Sequence, residues 1–247
     1  MKVLDNLMIK IKNGKVHMTL IDPATSGPEG SALIAEQAEK AGTDFILIGG
    51  STHLSSGQMD AATLMIKERC RVPVIIFPGS SSMFTRHADA IFFMSLLNSM
   101  DREFIVDHQK QASLIVKKSG VESIPMAYLI FAPGMTAGKV GKAMLIGPDH
   151  FKDATEYAVT AELLGMKIVY LEAGSGATFP IGREMIMKVK EKVSIPIIVG
   201  GGIRTPEAAR NAAEAGADIV VTGTVAERAE NVFETLKPII DSIKNVK

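Results

Sequence analysis

Ile195-Pro196-Ile197-Ile198-Val199-Gly200-Gly201-Gly202-Ile203-Arg204-Thr205-Pro206-Glu207-Ala208-Ala209 reads as a short strand, a glycine turn and the start of a helix. Ile195, Ile197, Ile198 and Val199 are β-branched and apolar without polar alternation, the pattern of a strand covered on both faces. Three consecutive glycines remove every Cβ where that strand ends, so backbone N–H groups can approach a ligand closely. Thr205 suits an N-cap and Pro206 the first helical position. Alone, the stretch serves equally well as a tight strand-to-helix turn that binds nothing. One unit further on, Ala217-Asp218-Ile219-Val220-Val221-Thr222-Gly223-Thr224 is a second buried strand ending in Gly-Thr, ahead of a helical run from Val225.

The pattern extends backwards through the chain. Residues 17–23, 44–50, 73–79, 90–98, 125–131 and 167–174 read as six earlier strands, and 1–16 as an opening helix and turn. Helices are expected over 28–42, 58–70, 102–118, 149–164, 183–192 and 231–243, with Gly42 and Gly120 as C-terminal caps. After the third strand the expected helix is missing. Ser80-Ser81-Ser82-Met83-Phe84-Thr85-Arg86-His87 is too short and too poor in helix formers for a full crossover. Residues 132–147 read as a long loop carrying Gly134, Gly138, Lys139 and Lys142. Alternating strands and helices predict an α/β fold with parallel pairing. Eight strands point to a modified (β/α)8 barrel of the TIM type, with its third helix replaced by a loop. In such barrels the loops after strands seven and eight often hold phosphate, helped by a short extra helix. The two glycine turns therefore predict a phosphate site. Ala41-Gly42-Thr43-Asp44-Phe45-Ile46-Leu47 echoes Ala215-Gly216-Ala217-Asp218-Ile219-Val220-Val221, one helix-to-strand turn used twice.

With 247 residues, the chain matches a single barrel domain spanning 1–247, since such barrels run to about 250 residues. The charges cancel to a formal net of zero, so no basic excess suggests nucleic acid or an anionic membrane surface. One cysteine, Cys70, leaves no internal disulfide and suits a reducing cytoplasm. The N-terminus lacks a signal-peptide core, and no apolar run reaches the roughly 18 residues of a membrane span. The 14 methionines fill irregular apolar space, in a core or along a greasy groove.

Barrel chemistry gathers where strands end at their C-terminal side. The residues there are Asp22, Ser51-Thr52-His53, Pro78-Gly79-Ser80, the run Tyr170–Gly176 and the two glycine turns. Glu172 stands in an apolar strand. A carboxylate there must be functional or satisfied by a neighbour, because burial without a partner is costly. Asp22 is either a ligand-binding acid or a turn acid before Pro23. Mg²⁺ takes one or two carboxylates and completes its shell with water and phosphate oxygens, which Asp22 and a Ser51 hydroxyl could begin. No His/Cys set suggests zinc. His17, His87, His108 and His150 read as surface or structural.

Thr19-Leu20-Ile21-Asp22-Pro23, Gly49-Gly50-Ser51, Tyr170-Leu171-Glu172-Ala173-Gly174-Ser175-Gly176, Val199-Gly200-Gly201-Gly202-Ile203-Arg204 and Gly223-Thr224 together resemble the geranylgeranylglyceryl phosphate synthase family, which includes the bacterial heptaprenylglyceryl phosphate synthases. The resemblance covers nearly the whole chain, and the Tyr-Leu-Glu-Ala-Gly-Ser-Gly run is its most specific part. It implies a Mg²⁺-dependent prenyltransferase that joins sn-glycerol 1-phosphate to geranylgeranyl diphosphate, the first ether bond of archaeal lipids, in a homo-oligomer. By that match Asp22 and Ser51 hold Mg²⁺. Tyr170, Leu171, Glu172, Ala173, Gly174, Ser175, Gly176, Gly201, Gly202, Gly223 and Thr224 bind glycerol 1-phosphate. On the chemistry of the residues, Glu172 is expected to orient a glycerol hydroxyl, as a base that takes its proton or as an orienting group alone, and the Tyr170 ring to face charge developing on the prenyl carbon. Two other readings keep the phosphate grip: a sugar-phosphate isomerase or cyclase using Asp22 and Glu172 as an acid/base pair, and a non-catalytic phosphate-binding barrel.

Overall fold

The expected strand at 195–199 forms as Ile197–Gly200 and closes a ring of eight parallel strands, seen in a computed structural model that describes residues 1–50 and 54–246. In order these are β1 Val16–Ile21, β2 Phe45–Gly49, β3 Val74–Phe77, β4 Ala90–Leu96, β5 Glu122–Ile130, β6 Ile168–Glu172, β7 Ile197–Gly200 and β8 Ile219–Thr222. β8 pairs back onto β1, with Val16 opposite Ile219. Successive side chains point to opposite faces of a strand, so each strand feeds two compartments. Met18, Phe45, Phe92, Met126, Ile168 and Ile198 fill the barrel interior. Val169, Leu171, Val199 and Val220 face outward and pack against the helices.

The helices are α1 Val3–Asn13, α2 Pro23–Ala41, α3 Ser56–Arg69, α4 His108–Ser119, α5 Met135–Val140, α6 Phe151–Leu163, α7 Arg183–Lys190, α8 Pro206–Glu214, α9 Thr224–Glu227 and α10 Val232–Lys244; α1 packs Val3 and Leu7 against the barrel-interior cluster and not into the outer ring. No helix stands between β3 and β4, as the serine-rich stretch predicts. Three expectations need correction. α2 begins at Pro23 rather than Pro28, because Asp22 caps it, and Gly27 at φ 66° then breaks its regular path. The helix expected from Arg102 opens with a π-helical turn, Glu103–Asp107, before α4. The loop expected over 132–147 contains α5, a short helix that sequence periodicity is too brief to reveal. Among the described residues, no helix is long and apolar enough to cross a membrane.

The repeated Ala-Gly-x-Asp turn has one physical purpose. Gly42 and Gly216 both take left-handed φ, at 107° and 114°, which spares a Cβ clash. Two residues later the aspartate reaches across to the neighbouring strand. Asp44 accepts the His17 N–H and Asp218 accepts the Ile197 N–H, each at 2.9 Å. The side chains supply acceptors where the strand ladder has not yet begun.

Candidate active site

Glu172 is the last residue of β6 and points into the barrel mouth. It is 5% exposed. Burial pushes its carboxyl above the usual carboxylate range; the Gly174 N–H and the hydroxyls of Tyr170 and Tyr128 pull in the opposite direction by bonding to it. The Gly174 amide donates at 2.6 Å. This is a carboxylate held by directional donors in a dry place, an arrangement able to accept a proton.

The triple glycine of the opening stretch makes room for it. A Cβ on Gly200 would run into the Tyr170 hydroxyl, and one on Gly201 would meet the Glu172 carboxylate and the Gly174 amide. Gly201 also takes φ 82°, where an L side chain is strained. Close packing against β6 is thus the first reason for these glycines.

Two cavities meet at Glu172. The smaller, of about 40 Å³, is lined by Tyr170, Glu172, Ser175, Gly176, Gly201, Gly202, Gly223 and Thr224. Eight of the eleven residues expected to bind glycerol 1-phosphate therefore face one space. The Ser175 and Thr224 hydroxyls bond to each other at 2.8 Å across it. Gly174 shapes the loop and bonds to Glu172 instead. Leu171 and Ala173 pack outward in the layer between strands and helices. The Ala173 amide donates to Gly200 and its carbonyl accepts from Gly134.

The larger cavity is a trench of about 250 Å³ that starts at Asp22, Glu172 and Glu227 and runs outward between aromatic and aliphatic walls. Phe77, Phe92, Phe93 and Phe104 line it together with Met94 and Ala137. Pro78 to Phe84, the stretch that replaces the missing helix, contributes a further wall through Met83 and Phe84. Without a helix over β3, this side of the rim is open to an apolar occupant.

Asp22 lies on the same rim as Glu172. Its carboxylate caps α2 by accepting the Ala24 N–H at 2.9 Å, and its own N–H donates to Glu227 at 2.9 Å. Of its two sequence readings the turn acid is realised in this cap, and the side chain also lines the trench. Burial raises the Glu227 carboxyl, the Asp22 amide and Arg228 oppose this, and the nearby Asp22 charge adds to the rise. Ser51, the expected second metal ligand, and Thr52 and His53 lie outside the described residues.

Several side chains that line the site escape sequence reading. Tyr128 stands opposite Tyr170 in the β5–β6 register, and only that register brings its hydroxyl to Glu172. Glu227 looks like an ordinary helix-surface acid until α9 turns it onto Asp22. His108 lines the trench edge, with its ring edge-on to Phe104 at 5.3 Å. Among the basic residues near the site, Lys142 pairs with Asp101 at 2.5 Å. Arg204 donates to the Gly176 and Ala177 carbonyls at 2.7 and 2.9 Å, bracing the loop beside the small cavity. Lys139 does not line the trench.

A conserved-family model matches residues 8–246, almost the full chain. The chain belongs to the PcrB family. It is 55% identical, over its whole length and 98% of the relative's, to geranylgeranylglyceryl phosphate synthase from Thermoplasma volcanium. A 53% identical synthase of the same name comes from Picrophilus torridus, with 98% of this chain and all of the relative covered. The crystal structure of (S)-3-O-geranylgeranylglyceryl phosphate synthase from Thermoplasma acidophilum, solved with its substrate sn-glycerol-1-phosphate, superposes with a TM-score of 0.98 at 55% identity over the full length of both chains. Membership of the PcrB family at this identity makes the chain an enzyme, a prenyltransferase.

Proposed function

We propose that the chain joins sn-glycerol 1-phosphate to geranylgeranyl diphosphate with release of diphosphate, forming the ether bond of an archaeal membrane lipid. The observation that carries this reading is that Glu172 lines both cavities, with a polar glycine-rich space on one side and an apolar trench on the other. A hydrophilic acceptor and a prenyl donor need such a pair of spaces joined at one acid.

Glycerol phosphate fits the smaller space, where the turns at Gly201-Gly202 and Gly223-Thr224 present backbone N–H groups and Ser175 and Thr224 add hydroxyls. Glu172 then reaches the glycerol 3-hydroxyl, orients it and takes its proton as the oxygen bonds to the prenyl C1. The C1–O bond to diphosphate breaks, and its electron pair leaves with the diphosphate. The rings of Tyr170, Tyr128 and Phe77 lie within 5.6 Å of one another, centroid to centroid. Their π faces suit positive charge on C1, and their bulk excludes water from it.

A divalent cation fits the donor set. The charged groups along the trench are Asp22, Glu172 and Glu227, and no lysine or arginine stands among its described lining residues. A diphosphate entering beside carboxylates needs a cation between, and hard carboxylate oxygens suit Mg²⁺. Asp22 would hold it, with Ser51 as the expected second ligand, and the ion would neutralise the departing diphosphate. We further assign the enzyme to the cytoplasm as a homo-oligomer.

The test is incubation with labelled sn-glycerol 1-phosphate and prenyl diphosphates of five to thirty-five carbons, with and without Mg²⁺. The reading requires an ether product that appears only with the metal and is most abundant with the twenty-carbon donor. Product formed equally well in chelator removes the metal from the scheme.

A further inference from the structure

The Asp22 amide sits at the end of β1, where the strand ladder stops, and it finds its acceptor 205 residues away in the Glu227 carboxylate. Glu227 closes α9, whose first turn is built on Gly223. The Ala226 and Glu227 amides return to the Gly223 carbonyl at 2.8 and 3.2 Å. At its other end α9 begins with Thr224, hydroxyl-bonded to Ser175. One continuous hydrogen-bonded path thus runs from the loop after β6, through α9, to Asp22. The Asp22 carboxylate has little freedom of its own: one oxygen caps α2 through the Ala24 amide, and the Gly50 backbone lies so close that a Cβ there would strike the other.

We propose that Glu227 is a positioning residue that fixes Asp22 at the diphosphate end of the trench and couples it to the glycerol phosphate space. The proposal rests on the reading of Asp22 as the metal-holding acid. Glu227 acts through its reach, by accepting an N–H, and its negative charge is secondary. A hydrogen bond to a backbone amide is directional whether a carboxylate or a side-chain carbonyl oxygen accepts it. Residues that orient a metal ligand typically change metal affinity by about 10–100-fold when altered. The coupling makes occupancy of the glycerol phosphate space and metal affinity mutually reinforcing, as linkage demands when one rigid element serves both sites.

Two substitutions separate reach from charge. Glu227→Gln keeps a carbonyl oxygen at the same length and loses the charge. Glu227→Asp keeps the charge and withdraws it by one methylene. Mn²⁺ affinity in the presence of inorganic diphosphate, read from the free Mn²⁺ signal in electron paramagnetic resonance, is measured with and without glycerol 1-phosphate. Glu227→Gln should stay within about twofold of the parent, and Glu227→Asp should bind Mn²⁺ about tenfold or more weakly and lose the gain on adding glycerol 1-phosphate. If Glu227→Gln is the weaker of the two, the carboxylate itself holds the ion and the positioning role is overturned. Parental affinity in both also overturns it. Asp22→Asn serves as the separate control: undiminished Mn²⁺ affinity there removes the metal reading of Asp22, whatever the Glu227 variants do.

Discussion

Tyr128 and Tyr170, paired across β5 and β6, stand edge to face with ring centroids 5.2 Å apart, and both hydroxyls lie beside the Glu172 carboxylate and hold its pKa down against burial. The pair keeps a buried acid ionisable, because hydroxyl donors favour the charged form that burial disfavours. Replacing Tyr128 by Phe removes one donor. The Glu172 carboxyl then rises further, and the acid limb of kcat/KM moves to higher pH while turnover on the alkaline plateau recovers. A pH profile indistinguishable from the parent's would separate Tyr128 from the acid.

Glu172→Gln should lower turnover by about 10²–10⁴-fold, the usual worth of a positioned general base, while glycerol 1-phosphate binding by calorimetry stays measurable. Stability should move the other way. An acid whose folded pKa is raised binds more protons folded than unfolded, so the parent loses stability as pH rises from the ordinary carboxylate value through the raised one. Glutamine removes that loss, and the thermal midpoint at pH 7 should climb. Near-parental turnover would take Glu172 out of the mechanism.

Gly201→Ala should lower stability by roughly 1–3 kcal/mol, through positive φ and collision with the loop at Gly174. It should also weaken glycerol phosphate binding, since the same backbone forms both the packing and the cradle. Urea denaturation and calorimetry check the two effects. A variant as stable as the parent contradicts the close approach of β6 and β7.

Ala137→Phe places a ring in the trench from α5. Turnover with the twenty-carbon donor should fall at least about tenfold more than turnover with dimethylallyl diphosphate, which needs no tail space. Equal loss with both donors would mean that the tail runs elsewhere.

His17 is buried at the barrel bottom, bonded to Thr43 at 2.9 Å and Thr222 at 3.0 Å. Burial lowers its pKa to about 3, with the Asp44 charge opposing and Lys244 adding to the fall. The unfolded chain therefore binds the extra proton between pH 6.5 and 3, and stability drains away as pH falls through that window, by on the order of 5 kcal/mol if folding persisted to its end. His17→Gln should flatten this part of the melting-temperature profile between pH 6.5 and 4. An unchanged slope would assign the acid sensitivity to other groups.

Much of the fold was legible because barrel units are local. The apolar run before Gly200, the Thr205-Pro206 helix start and the absent helix after β3 are each written in a few adjacent residues. The lone carboxylate of Tyr170-Leu171-Glu172 likewise announces itself, because an acid in a buried strand has to be accounted for within that strand. α5 and the break at Gly27 were not legible, since a six-residue helix and one glycine torsion depend on what packs over them.

What the sequence by itself determined is therefore the alternation of strands and helices, the glycine turns, and the acids at strand ends, all of which arise from short-range sterics and periodic burial. Only the tertiary structure decided that Tyr128 and Tyr170 share one carboxylate, that Leu171 faces the helices, and that Glu227 holds the Asp22 amide across 205 residues. Those relations follow from the register of neighbouring strands and the closure of β8 onto β1. Register shifted by one residue would turn every side chain to the opposite face, and that choice is made by the whole packed ring.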